Sequence, residues 1–221
     1  MNQTAVSHIS ASAISTNKLI RNTYMLLSMT LIFSALMAVA STALSISPMF
    51  AMGSSILAIV LLWFVLPRTA NSAAGIGVVF AITGLLGFGL GPMLSYYVAL
   101  SNGGQLIATA AGGTGVIFLA LSAYALTTRK DFSFMGGFLM TGMIVVLVAM
   151  VANIFLQIPV LQLAMSAAIV MIMSGFILYD TSHMVHNPDA NYIMMTAHIF
   201  LTILNLFTSL LHLLGALSGD D

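Results

Sequence analysis

One carboxylate of the sequence directly follows an apolar stretch that contains no charged residue. Asp180 comes directly after the run 169–179. A carboxylate inside a membrane span is costly unless it faces a partner group or a water-filled cavity, so its position indicates an ion or proton site. The alternative is an interfacial aspartate that ends its helix and extends its side chain toward water.

Two histidines follow Asp180 at three-residue steps, at His183 and His186. In a helix, this spacing places the three side chains on adjoining faces. Zinc usually takes three or four such ligands in fixed geometry, and the sequence contains no further ligand cluster, so polar interfacial residues are favoured over a metal site. Imidazole titrates near neutral pH, so both histidines are also candidates for pH sensing.

A polar stripe runs along the last apolar segment. Its members fall at i, i+4, i+7, i+11 and i+14 and therefore share one helix face: His198, Thr202, Asn205, Ser209 and His212. In lipid, such a face must turn toward partner groups or a cavity. It either lines a polar path or forms interhelical hydrogen bonds worth about 0.6 kcal/mol each. His198 is a third candidate for pH sensing.

The composition indicates that lipid is the solvent for most of the chain. Of 221 residues, 60% are hydrophobic and 5% are charged, whereas soluble domains carry roughly 25% charged residues. The formal net charge of zero provides no basic face for nucleic acid. The absence of cysteine excludes disulfides, thiolate metal sites and thiol nucleophiles.

Seven stretches are long and apolar enough to cross a bilayer, which takes about 20 residues in a helix. We therefore predict an all-α membrane protein of seven spans, at 24–46, 49–66, 73–97, 105–126, 134–156, 160–180 and 192–217. Residues 1–23 are predicted to form a flexible tail, residues 24–217 the transmembrane domain and residues 218–221 a short C-terminal tail.

The basic residues predict the orientation. All five occur before span 1, between spans 2 and 3, or between spans 4 and 5: Lys18, Arg21, Arg68, Arg129 and Lys130. In a seven-span chain these places share one face, which the positive-inside rule assigns to the cytoplasm. The N-terminus is then cytoplasmic and the C-terminus periplasmic. Arg68 lies on the same predicted side as Asp180 and is a candidate partner for it.

Span 3 contains a face of small residues, namely Gly77, Ala81, Gly84 and Gly91, which lets helices approach closely. The pair Gly91-Pro92 is expected to kink or end the helix, because proline lacks the amide hydrogen that a helix interior needs.

The sequence contains no nucleophile elbow, catalytic triad, metalloprotease motif or nucleotide-binding loop. Without any glutamate, the chain has few groups for acid–base chemistry. We therefore expect a protein that is not an enzyme and that has no cofactor unless it binds a calcium ion.

Several short motifs, in order along nearly the whole chain, resemble the Bax inhibitor-1 family and in particular its bacterial YccA branch. They are GLLG at 84–87, GP at 91–92, TTRKDFSF at 127–134, ANIFL at 152–156, LYD at 178–180, NLF at 205–207 and GALSGDD at 215–221. The resemblance implies six helices around a central seventh. It also implies a multi-pass protein of the bacterial inner membrane that binds the FtsH protease and modulates the degradation of membrane proteins.

Other members of that family resemble pH-sensitive calcium leaks. Their site pairs an aspartate in span 6 with one in span 7, three residues before an asparagine. Asp180 and Asn205 match this pattern, but the second aspartate position holds Thr202, which cannot ionise. A calcium ion prefers several oxygen ligands, and threonine supplies only a neutral one. A calcium or proton leak centred on Asp180, with Thr202, Asn205 and Arg68, is therefore the alternative function.

Overall fold

A computed structural model describes the backbone of residues 3–219 and the side chains of residues 15–219. Within these residues the chain forms helices joined by short turns and contains no strand. The helices are α1 Gln3–Ala43, α2 Pro48–Val60, a π-helical turn Leu61–Val65, α3 Leu66–Thr69, α4 Ala73–Gly89, α5 Gly91–Val98, α6 Gly103–Thr128, α7 Met135–Leu156, α8 Pro159–His186 and α9 Tyr192–Leu217.

Seven helical segments are long and apolar enough to span a membrane, as predicted. They are Ser15–Ala43, Pro48–Thr69, Ala73–Val98, Gly103–Thr128, Met135–Leu156, Pro159–His186 and Tyr192–Leu217. Large apolar side chains on these segments are exposed, among them Trp63 at 72% and Phe138 at 76%. Such side chains on membrane-length helices are suited to contact with acyl chains. The chain is therefore a multi-pass, all-α membrane protein.

Some helix ends differ from the predicted limits. The backbone is helical from Gln3, so the stretch predicted as a tail continues into span 1, and its flexibility stays a prediction. Span 2 was predicted to end at residue 66, but α3 carries it to Thr69 after the π-helical turn. A π-helical turn just before Pro67 fits a helix that must continue past a residue without an amide hydrogen. Residues 220 and 221 of the predicted C-terminal tail lie outside the described residues.

The end of span 6 is the most consequential difference. We predicted that this helix stops at residue 180, but α8 continues to His186. Asp180 therefore lies about 9 Å before the end of its helix, at 1.5 Å per residue. His183 and His186, predicted to be polar interfacial residues, are helical too. The apolar run marks where the lipid-facing segment ends, whereas the helix itself needs only backbone hydrogen bonds and extends further.

The chain divides into two compact units. Unit 1 comprises Met1–Ala99 and Met184–Phe200. Its core contains side chains from α1, α2, α3, α4 and α9, including Leu26, Ala58, Leu66, Ile82 and Ile193. How the last helix is arranged among the other six stays a prediction.

Glycines in unit 1 allow α4 and the start of α5 to lie close to α1. A Cβ at Gly84 would lie 2.5 Å from the Phe33 ring, and one at Gly87 would overlap the Ser34 carbonyl oxygen. The predicted small-residue face is partly confirmed, because Gly84 contacts Phe33 and a Cβ at Gly91 would overlap Ser41 Oγ. Its other predicted members do not take part, since Gly77 faces open space and Ala81 is exposed. The predicted interruption at Gly91-Pro92 is confirmed, because α4 ends at Gly89 and α5 begins at Gly91.

Unit 2 comprises Leu100–His183 and Leu201–Asp221. Its core is formed by α7, α8 and α9 and contains Val146, Met165, Ile169, Met173, Ile177 and Leu206. Asp180 and the part of α9 that starts at Leu201 belong to this unit.

Candidate functional site

Asp180 is buried in unit 2, with 5% of its surface exposed. The next two residues of α8, Thr181 and Ser182, are each 1% exposed. A polar segment in the last two turns of a membrane helix is therefore enclosed by protein. Because burial removes water from these groups, each must find its hydrogen bonds within the fold.

The hydroxyl groups beside Asp180 bind two other parts of unit 2. Ser182 Oγ accepts a hydrogen bond from the backbone N–H of Phe132 and donates one to the carbonyl oxygen of Lys130, both at 3.0 Å. Thr181 shares a hydrogen bond with Ser122 of α6, with 3.4 Å between the hydroxyl oxygens. The end of α8 is thus fastened to α6 and to the turn that follows it.

That turn carries two of the five basic residues. Arg129 ends α6 in the left-handed conformation, with φ of 51°. Asp131 Oδ1 then accepts a hydrogen bond from Ser133 N–H at 2.9 Å, which folds the turn on itself. The arrangement fixes the backbone of the basic turn against α8, two residues along from Asp180, while the Arg129 and Lys130 side chains remain exposed.

An aromatic side chain near the same end of α8 packs against both α8 and α7. Tyr179 stacks on His183 with 6.2 Å between ring centroids. A Cβ at Gly136 would lie 2.9 Å from the Tyr179 ring, so any larger residue there would force the ring to shift. His183 is therefore half-buried and packed, whereas His186 and His198, both in unit 1, are exposed.

The predicted site residues differ in their surroundings. Thr202 is buried in unit 2, with 6% exposed, as Asp180 is. Asn205, one turn further along α9, is exposed and donates to the Leu201 carbonyl oxygen at 2.9 Å. Arg68 lies in unit 1, is exposed, and donates to the carbonyl oxygen of Phe64 on its own helix. Its pairing with Asp180 stays a prediction.

The stripe on α9 is correspondingly divided. Thr202 and Ser209 are buried, His212 is half-buried, and His198 and Asn205 are exposed. The shared helix face predicted from their spacing therefore does not have one environment along its length. Within the described residues, no three side chains of the histidine, cysteine, aspartate and glutamate types converge on one point.

A cavity of about 390 Å³ lies between α7, α8 and α9 in unit 2. Its lining includes Asn205 but neither Asp180 nor Thr202. The polar lining residues come from all three helices and include Asn153, Gln162, Ser166, Asn205, Thr208 and His212. None of the cavity's lining residues is aspartate, glutamate, lysine or arginine, so its chemistry is that of uncharged hydrogen bonding.

Unit 1 contains a matching polar contact that sequence reasoning missed. Asn191 Nδ2 donates to the Ala70 carbonyl oxygen at 2.9 Å and to Asn71 Oδ1 at 2.8 Å. Its Oδ1 accepts from the backbone N–H groups of Ile193 and Met194, at 2.9 and 3.1 Å. One side chain thus caps α9 and holds the turn that follows Arg68. The signal was available, because asparagine just before an apolar segment is a typical N-cap.

Comparison with known proteins identifies the family to which this seven-span arrangement belongs. Residues 16–219 match the family model described as inhibitor of apoptosis-promoting Bax1. The chain belongs to the Bax inhibitor-1 family. The resemblance inferred from the short motifs is therefore confirmed over nearly the whole sequence.

Three bacterial relatives are similar to this chain over almost its full length. An uncharacterized membrane protein of Vibrio cholerae is 50% identical over 93% of this chain and 92% of its own. The Modulator of FtsH protease YccA of Escherichia coli K12 is 49% identical, with 97% of each chain covered. The Inner membrane protein YccA of Escherichia coli O6:H1 has the same identity and coverage.

Proposed function

We propose that this protein is a regulator in the bacterial inner membrane that binds the FtsH protease and modulates its degradation of membrane proteins. The observation that carries the proposal is the 49% identity, over 97% of both chains, to a relative named for that activity. In this proposal the protein is a binding partner and not an enzyme, and it needs no cofactor.

The two fastened turns support a regulatory contact. Asn191 fixes the turn after Arg68, and Ser182 fixes the turn containing Arg129 and Lys130. The positive-inside rule assigns both turns to the cytoplasm. Each turn is already ordered within its own unit, so a partner that binds it costs less conformational entropy than one that binds a mobile loop.

Co-purification tests the proposal. A tagged form of the chain, expressed in bacteria, is expected to retain a proteolytically inactive FtsH variant after detergent extraction. The control is a seven-span membrane protein of another family, expressed at the same level. If FtsH is retained by neither protein or by both equally, specific binding is excluded.

Turnover of membrane substrates tests the regulatory part separately. Raising the level of this protein is expected to lengthen the half-life of an FtsH membrane substrate by several-fold, and the control protein is expected to leave it unchanged. An unchanged half-life in the presence of demonstrated binding would remove the modulator function and leave only an association.

The N-terminal sequence suggests a way to distinguish the binding of this protein to FtsH from its own degradation by FtsH. Residues 1–17 are rich in serine, threonine, alanine and asparagine and carry no charged side chain. An ATP-driven protease grips loose terminal segments. A variant lacking residues 2–14 is expected to remain bound to FtsH while being degraded more slowly itself. Loss of binding in this variant would instead place the contact within the deleted segment.

The burial of Asp180 favours a second candidate function, a pH-sensitive calcium or proton leak. A buried carboxylate in a membrane span is typical of ion pathways, and the buried Thr202 hydroxyl belongs to the same unit. Liposomes containing the protein and a calcium dye test this candidate. Flux is expected to fall to the empty-liposome level in Asp180→Ala and to persist in Asp189→Ala, which removes an exposed loop carboxylate. Equal flux in both variants would exclude Asp180 as the site.

A further inference from the structure

The cavity in unit 2 combines polar lining with a position inside the membrane-spanning segments. Amide and hydroxyl side chains from three helices face about 390 Å³ of space. In hydrocarbon, a polar group without a hydrogen bond costs several kcal/mol. A cavity with this lining therefore favours an occupant that can form hydrogen bonds over an apolar one.

The depth of the lining limits what that occupant is. Gln162 lies close to the start of α8, beside the turn at Gln157. Asn205 lies about 18 Å from the C-terminal end of α9, at 1.5 Å per residue. Since the hydrocarbon layer is about 30 Å thick, the lining extends from one membrane surface to roughly the middle. A lipid headgroup stays at the interface and cannot reach the inner part.

The lining amides have more hydrogen-bonding capacity than their bonds within the protein use. Asn205 donates to the Leu201 carbonyl oxygen, and Asn153 Oδ1 accepts from Ile158 N–H at 2.9 Å. Each carboxamide provides two donors and an oxygen with two lone pairs, so further capacity remains for an occupant. The absence of carboxylates from the lining disfavours a cation, which prefers charged oxygen ligands.

We propose that this cavity is an aqueous vestibule that opens at the membrane surface carrying Gln157 and reaches Asn205 near the middle of the membrane. Its volume holds about a dozen water molecules at roughly 30 Å³ each. The same lining accepts a small uncharged solute with hydroxyl or amide groups. The lining of the vestibule includes neither Asp180 nor the turn that contains Arg129 and Lys130.

The absence of native cysteine makes the proposal directly testable with single-cysteine variants. Asn205→Cys probes the inner part of the vestibule. Ile144→Cys is the matched control, because Ile144 is 54% exposed and lies about 18 Å from the C-terminal end of α7. Gln157→Cys marks the membrane surface at which the vestibule opens. The rate of reaction with N-ethylmaleimide is measured for each variant in membrane vesicles.

A thiol in water ionises and reacts, whereas one in apolar surroundings has a raised pKa and reacts slowly. Asn205→Cys is expected to react roughly 100-fold faster than Ile144→Cys. Equal slow rates would overturn the proposal and show that lipid or protein fills the cavity. Thr208→Cys, on the same lining, is expected to behave as Asn205→Cys does, which guards against local misfolding of one variant.

The direction of opening is tested with a charged, membrane-impermeant methanethiosulfonate added to one side of oriented vesicles. Asn205→Cys is expected to be protected from later N-ethylmaleimide labelling by reagent on the side that also modifies Gln157→Cys. Protection only from the opposite side, or from neither side, would overturn the proposed opening. Slower labelling in the presence of an uncharged polyol would identify a bound solute, and an unchanged rate would identify water as the occupant.

Discussion

In each unit of this protein, a polar side chain forms hydrogen bonds to a turn next to basic residues, but the two side chains differ in their position in the helix and in the number of these bonds. In unit 1, Asn191 stands at the start of a helix and uses both amide hydrogens and its oxygen in four hydrogen bonds. In unit 2, Ser182 lies inside a helix and uses a single hydroxyl in two. Asn191 thus combines a helix cap with a link to the turn, whereas Ser182 provides only a link.

The difference between the two contacts follows from which backbone groups lack a hydrogen-bond partner. Asn191 replaces hydrogen bonds that a helix start lacks, so it contributes both a cap and a link between elements. Ser182 links backbone groups of the turn that have no partner within a regular helix. We therefore expect that loss of Asn191 lowers the free energy of unfolding more than loss of Ser182 does.

Asn191→Ala is expected to lower the free energy of unfolding by about 3 kcal/mol, because it removes a helix cap and two links to the turn. The measurement is thermal unfolding in detergent, followed by circular dichroism. Asn191→Ser keeps an oxygen that caps the helix but loses both amide donors, so about half of the loss is expected. Equal losses in the two variants would show that the cap contributes nothing.

Ser182→Ala is expected to cost about 2 kcal/mol, because it leaves the Phe132 amide and the Lys130 carbonyl without their partner. Ser174→Ala is the matched control in the same helix. Its hydroxyl bonds only the Val170 carbonyl at 2.7 Å, within α8. The control is expected to change stability by less than about 0.5 kcal/mol. Similar losses in the two variants would contradict a fastening role for Ser182.

Gly136→Ala is expected to destabilise unit 2 by about 1 kcal/mol, because its Cβ would meet the Tyr179 ring at 2.9 Å. Gly137→Ala has nothing within 4 Å of the new Cβ. It is expected to stabilise by up to about 1 kcal/mol, since alanine loses less backbone entropy in a helix. Thermal unfolding of the pair gives opposite signs if the Tyr179 contact is as tight as described.

Asn71→Ala is expected to have the smallest effect, about 0.5 kcal/mol, because it removes one exposed hydrogen-bond acceptor from Asn191. Asn191 then keeps the Ala70 carbonyl and the cap. A loss as large as that of Asn191→Ala would mean that the side-chain pair, and not the helix cap, makes the main contribution.

The sequence was sufficient to predict the features that depend on local composition. Seven apolar runs gave the seven spans, and Gly91-Pro92 gave the break between α4 and α5. The family was recognisable from short motifs along the chain. Each of these features follows from residues that are close together in sequence.

The features that were not predicted depend on residues far apart in the chain. Asn191 contacts Ala70, and Ser182 contacts Lys130, and neither pairing has a local periodicity. The extension of α8 beyond Asp180 was missed because hydropathy marks the lipid boundary and not the end of the helix. The exposure of Asn205 was missed because spacing defines a helix face but does not show what that face meets.

The π-helical turn at Leu61–Val65 has a consequence for how span 2 tolerates changes in length. A π-helical turn accommodates one extra residue, and one residue corresponds to about 100° of rotation around a helix. Deleting one residue there would restore a regular α-helix, and the residues after it would keep their rotation, because the wider π turn takes up the extra residue locally. The Ala70 carbonyl would then still face the Asn191 amide. A deletion within Leu61–Val65 is therefore expected to disturb unit 1 less than a deletion within the regular α2 segment Pro48–Val60, which would turn Ala70 by about 100°.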